Sequence, residues 1–210
     1  NPSQGDATLT PAQNMPQDRL TRQLDFLVQM DALKQVFRQT LLIGDRRPEN
    51  DAEHSWHLAL MAVVLAEHAE GGVDPLRVVK MALIHDLVEI DAGDTFAYDE
   101  EGHADKEKRE RAGAERIFAL LPAEQGGEMR ELWEEFEARD TADSRFAAAL
   151  DRLQPLLLNY ASGGDTWRRH GVRRDQVVAR NRHMEEGAPT LWRFTADLIE
   201  RAVAEGKLEA

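Results

Sequence analysis

The chain contains no cysteine, which excludes disulfide frameworks, thiolate zinc sites, iron–sulfur clusters and cysteine nucleophiles. It also lacks a long apolar run. The longest uncharged one, Leu58 to Ala66, falls well short of the about 20 residues that a spanning helix needs. No segment near residue 1 has the charge–apolar–small order of a signal peptide, so a cytoplasmic protein without membrane partners is expected. Basic residues are outnumbered 26 to 39, giving a formal net charge of −13. That balance argues against nucleic-acid binding, which wants a basic stripe, yet suits a small anionic substrate held by a few local arginines. Nucleotide loops of the GxGxxG and GxxxxGK[ST] types are missing, as are HExxH and GxSxG.

What is present is helical periodicity. Residues 1–16 carry Pro2, Pro11, Pro16 and Gly5 without an apolar period and read as a loose tail. From Gln17, leucines at steps of three and four (Leu20, Leu24, Leu27, then Phe37 and Leu41) predict one long helix ending at Gly44. A second helix is expected from Asp51, taken as its N-cap, to about Glu70, and a third from the Asp74-Pro75 pair through Val88. Further helices are expected over 106–121, 128–138, 142–161, 172–184 and 189–206, with Gly126-Gly127, Gly163-Gly164 and Gly187 as breaks. Strand signals are nearly absent. The expected fold is all-α: one helical bundle, with 17–165 as its core and 166–210 as C-terminal helices packed on the same domain.

The third helix carries the chemistry. In Ala82-Leu83-Ile84-His85-Asp86-Leu87-Val88-Glu89-Ile90, an apolar helix holds His85, Asp86 and Glu89 within about one turn, spaced so that they gather on one side. Burying an imidazole and two carboxylates without compensation is costly. A divalent cation resolves the cost, and so does a buried polar network. His54 heads an inward stripe with Leu58, Met61, Leu65 and His68, and Asp151 lies in the apolar run Phe146–Leu153. Nitrogen and oxygen donors without thiolate suit zinc, manganese, cobalt, nickel, ferrous iron or magnesium. His57, His68 and His183 read as core histidines. The run Lys106–Arg111 reads as a solvated face with i,i+4 pairs. The acidic stretch Asp91–Glu101 does not match an EF-hand loop, which needs ligands at alternate positions and Gly at the sixth.

The order His54 … His85-Asp86 … Asp151 resembles the HD superfamily of metal-dependent phosphohydrolases. The likeness sharpens over Arg47–Ser55 and Ile84–Thr95, where it is similar to the 5′-deoxynucleotidase branch. The resemblance implies that His54, His85, Asp86 and Asp151 bind one divalent metal, with Glu89 and Asp94 as catalytic carboxylates beside it. It further implies that Arg38, Arg47 and Thr95 bind substrate, and that the protein is a phosphomonoesterase releasing phosphate from (deoxy)nucleoside 5′-monophosphates through an activated water. Members of the branch commonly form homodimers. Dinuclear relatives need further histidines between the HD pair and the last Asp, and only His103 lies in that interval, so a mononuclear site is expected. Two alternatives stay open: hydrolysis of another phosphate ester (a nucleoside triphosphate, an alarmone or a non-nucleotide), and a non-catalytic helical binding module.

Overall fold

The structure, a computed structural model, describes residues 18–98 and 104–210; the expected tail 1–16 and His103 lie outside them. Helix α1 (Arg19–Met30) starts where the Asp18 carboxylate accepts the Thr21 amide at 2.7 Å. It stops well before the predicted end. A 3-10 turn (Asp31–Gln35) leads into strand β1 (Phe37–Leu41), which pairs antiparallel with β2 (Pro48–Asn50). The long first helix is therefore a misreading. Phe37 and Thr40 are good strand formers, and a turn at Arg46, in left-handed backbone with φ 59°, folds the chain back on itself. The leucine stripe is corrected too. Leu20, Leu24 and Leu27 face outward, and α1 docks instead through Phe26 and through Arg22, which donates to carbonyls at the end of a later helix.

Helix α2 (Asp51–Leu65) is capped by Asn50, whose side chain accepts the Glu53 amide while Glu53 accepts the Asn50 amide. The expected cap, Asp51, is thereby freed to point inward. Helix α3 (Pro75–Ile84) follows Asp74, with Pro75 in the first turn as expected. It ends one residue short of His85. Residues 85–88 turn through i→i−3 hydrogen bonds, such as Leu87 N–H to Ile84 O, before the short α4 (Glu89–Ala92).

The second half comprises α5 (Lys106–Phe118), α6 (Ala123–Ala138), α7 (Ala142–Ala161), α8 (Asp165–Arg169), α9 (Arg174–Asn181), α10 (Met184–Gly187) and α11 (Pro189–Ala204). Gly126 and Gly127 do not break a helix; both lie inside α6. A Cβ at Gly126 would collide with the Phe118 carbonyl oxygen, so the glycine lets α6 close onto the end of α5. Gly113 of α5 serves the site in the same way, since a Cβ there would sit 2.7 Å from the Val88 carbonyl oxygen. Helix α7 is the central element, buried from Phe146 to Leu150 and packed on α2, α3, α6, α10 and α11. Apolar residues from Phe26 to Leu208 form one core, and it includes Trp133 and Trp167, with Trp192 partly buried against it. Among the described residues, no helix is long and apolar enough to cross a membrane.

Candidate metal centre

Three parts of the fold bring the four predicted donors together. His54 comes from the first turn of α2, His85 and Asp86 from the turn after α3, and Asp151 from the middle of α7. All four are buried. His54 Nε2 lies 3.1 Å from Asp151 Oδ1 and 3.9 Å from Asp86 Oδ2, and His85 Nε2 lies 3.1 Å from Asp86 Oδ1 and 3.8 Å from Asp151 Oδ1. One ligand atom each from His54, His85 and Asp86 fits within a 4.8 Å group.

The tautomers are fixed from outside. His85 Nδ1 donates to the Ala82 carbonyl at 3.0 Å, which leaves Nε2 buried with no hydrogen-bond partner. His54 Nδ1 donates to Gln154 Oε1 at 3.1 Å, and the Gln154 amide donates to Glu49 Oε1 at 2.6 Å. Both imidazoles therefore aim lone pairs at two carboxylates. That arrangement repels itself unless protons or a cation stand between, and two nitrogens with two carboxylates suit a borderline divalent ion. The residues fit the metal.

The electrostatics of the buried groups make the same demand. Burial pulls the His85 imidazole down, but the negative charges of Asp86 and Asp151 outweigh it and lift the ring from 6.5 to about 10. His54 is raised as well, against burial and Arg38, by Asp151, Glu49 and Asp86. Asp151 is held low despite its burial, by Arg152 and the two histidines. The metal-free centre thus holds protons that a cation must displace. A histidine raised in the folded state lends stability that is full below about pH 6.5 and is lost as pH rises toward 10. Melting temperatures of stripped and reloaded protein should therefore diverge between pH 6.5 and 10, the stripped form falling while the loaded form holds. A constant gap would contradict the ligand assignment.

Glu89 and Asp94 stand beside this group. Burial, then Asp86 and Asp51, push the Glu89 carboxyl well above the usual range. Burial also raises Asp94, with Arg38 opposing. Asp51, completely buried at the start of α2, is lifted to about 7 by burial and Asp86 against Arg38, and one oxygen each of Asp51, Asp86 and Glu89 lie within 4.8 Å of one another. Arg38 comes from strand β1 and not from a helix end. Its Nη1 donates to Asp51 Oδ1 at 3.0 Å and Asp86 Oδ2 at 2.8 Å. Thr95 accepts from Arg109 at 3.3 Å, which clamps the loop after Gly93.

These groups open on a cavity of about 130 Å³ lined by Arg38, His85, Asp86, Glu89, Asp94, Thr95 and Asp151. Arg47 is not brought there; it lies on the surface, paired with Glu53. Lys106 and Glu110 do pair as an i,i+4 couple, but Glu110 is buried and both line the cavity, so that part of α5 is not a solvated face. Sequence reasoning missed Glu49, Asp51 and Gln154. The last offered a signal, a polar residue three positions after Asp151 in an apolar helix. Replacing it (Gln154→Leu) should weaken metal binding about 10–100-fold, as loss of outer-shell partners does; a competitive chelator titration measures this.

A bundle that holds a histidine, a His-Asp pair and a distant aspartate around one cavity has the architecture of an HD domain, and a family model for the HD domain matches residues 30–192. The chain belongs to the HD domain family. It is 33% identical over 135 residues to the 5′-deoxynucleotidase HDDC2 of Homo sapiens, covering 64% of this chain and 65% of that one. The counterpart in Bos taurus is 30% identical over 152 residues, covering 72% and 73%. The matched stretch thus spans just under two thirds of the human relative's length. A crystal structure of a predicted metal-dependent phosphohydrolase from Magnetospirillum magnetotacticum MS-1 is 52% identical, with a TM-score of 0.89 over 93% of this chain and 98% of that one. A conserved hypothetical protein from Pyrococcus furiosus, at 22% identity and a TM-score of 0.59, shares the fold.

Proposed function

We propose that the protein is a phosphomonoesterase that uses one divalent cation to release phosphate from (deoxy)nucleoside 5′-monophosphates. The observation that carries this reading is the convergence of four buried donors, of which His85, Asp86 and Asp151 line one cavity with Glu89 and Asp94. The relatives named as 5′-deoxynucleotidases supply the substrate class. Asp51, Asp86 and Glu89 form a second close group of carboxylates, and Arg38, which donates to two of them, supports a single ion by supplying positive charge there.

When bound, the cation supplies Lewis acidity to a phosphoryl oxygen and acidifies the water beside it. His54, His85, Asp86 and Asp151 hold it. Glu89 orients the attacking water and takes its proton. Asp94, raised by burial, holds a proton for the leaving 5′-oxygen. Arg38 offsets charge on the non-bridging oxygens, and Thr95 positions the ester. Phe96, Tyr98 and Trp167 add an aromatic wall for the nucleoside that no motif pointed to. The same reading places 17–165 as the core, 166–210 as helices packed on it, and the enzyme in the cytoplasm. Product analysis over 5′-monophosphates, 3′-monophosphates and triphosphates tests it. Orthophosphate from 5′-monophosphates alone is expected; pyrophosphate or triphosphate as product would replace the substrate.

A homodimer belongs to this proposal. Trp56, Leu60, Val63 and Val64 form an exposed apolar stripe on α2, and no charged residue lies between Trp56 and Val64. In a chain of net charge −13, that uncharged face lets two copies meet without like charges opposed, in a self-complementary contact. Val63→Glu should shift sedimentation from dimer to monomer; an unchanged profile would remove this face as the interface.

A further inference from the structure

The cavity carries a second charged feature beside the metal centre. Arg139 at the end of α6, Arg152 in α7 and Arg180 in α9 all line it. The same three continue into an adjoining recess, where His183 joins them. The Nε of each arginine and the Nε2 of His183 are buried with no hydrogen-bond partner among the described residues. Arg152 Nη2 also pairs with Asp151 Oδ2 at 3.7 Å, while both histidines face Oδ1, so of the three arginines Arg152 is the one that also steadies a metal ligand.

Other cations of the cavity are already engaged. Arg38 serves Asp51 and Asp86, and Lys106 serves Glu110. Arg139, moreover, stands in left-handed backbone with φ 53°, a conformation unfavourable for a side chain of its size. Burial and then the neighbouring arginines lower Arg139, bring Arg180 down to about 10 and bring His183 down to about 4. Glu107, Glu110, Glu134 and Glu137 also line the recess, yet the buried Nε donors of the three arginines find no acceptor among the described residues and are open to an anion. Planar guanidinium forks match the oxygens of a phosphoryl group.

We propose that Arg139, Arg152 and Arg180 form an anion subsite in the same cavity as the metal centre, built for a second phosphoryl group. The group is carried by a nucleotide phosphorylated at two positions, or arrives as free orthophosphate. The inference rests on the phosphatase reading for its substrate class, though the arginine recess exists independently of it.

Two arms test it with the metal-loaded wild type, Arg180→Gln and Arg139→Gln. In the first, kcat/KM for a deoxynucleoside 3′,5′-bisphosphate is compared with that for the 5′-monophosphate. A wild-type preference of about tenfold, the scale of one charge-assisted hydrogen bond, that collapses in both variants assigns the subsite to substrate. In the second, orthophosphate is titrated calorimetrically. Affinity weakened about tenfold in the variants, without a bisphosphate preference, assigns it to free phosphate. Unchanged substrate ratios together with unchanged orthophosphate affinity would overturn the proposal. A melting scan in phosphate-free buffer confirms folding, since removing one of several repelling cations should hold or raise the melting temperature. If no nucleotide is hydrolysed, the phosphatase reading fails while the titration still decides the subsite.

Discussion

Asp86→Asn is expected to abolish both metal binding and phosphate release. Asp86 is the carboxylate on which the centre converges: it faces His85 at 3.1 Å and His54 at 3.9 Å, and it accepts from Arg38 at 2.8 Å. Asparagine keeps the volume and an oxygen for Arg38 but removes the charge that balances a cation. Losing a direct ligand should cost more than the roughly 10–100-fold in affinity that an outer-shell change costs. Phosphate release should fall by at least about a thousandfold, because both Lewis acidity and water acidification go with the ion. Metal content by emission spectroscopy and phosphate release, measured on the same sample, check this. Truncation to alanine is the poorer test, since a buried Arg38 left with Asp51 alone would destabilise the fold by roughly 3–5 kcal/mol. A D86N protein that retains stoichiometric metal would remove Asp86 from the ligand set.

Glu89→Gln should separate chemistry from binding. Glu89 sits one turn past Asp86 at the start of α4, buried beside Asp51, and it is not needed to complete the four donors. Glutamine preserves its shape but cannot take a proton. The metal should stay bound with affinity within about twofold, while kcat falls about 10²–10⁴-fold, the usual contribution of a general base. A parallel loss of metal would show that Glu89 acts through the ion, and an unchanged kcat would reassign proton transfer to Asp94.

The sequence carried the centre further than it carried the scaffold. His54, His85, Asp86 and Asp151 stood out as polar groups in apolar helical runs, but their pattern alone left a buried polar network equally open; the family resemblance joined them into one set, and the structure brings all four together. Helix α7 was legible to the residue, since an apolar face beginning after Thr141 and ending at Ala161 has a clear cap and a clear stop. The β1–β2 ribbon was not legible. Five residues in β1 and three in β2 give too short a period to see, and the preceding leucines extended the helical pattern across Phe37 and Leu41. That ribbon nonetheless places Arg38 over Asp86 and sets Glu49 beneath the His54–Gln154 pair. Asp51 was hidden by its own neighbourhood. Next to Asn50, at a helix start, a carboxylate reads as a cap, and only the Asn50–Glu53 exchange shows that the cap is taken. Gly126-Gly127 misled for a tertiary reason: the close approach to Phe118 that requires the first glycine leaves no mark in the local sequence.

The most direct test of the account is phosphate release from a deoxynucleoside 5′-monophosphate by metal-stripped protein, as manganese or cobalt is returned in measured fractions of an equivalent. The account predicts no release from the stripped protein. It then predicts a linear rise that breaks at about one ion per chain, the stoichiometry that four protein donors around a single ion impose. Full turnover in the stripped protein, or a rise that needs two ions per chain, would contradict it.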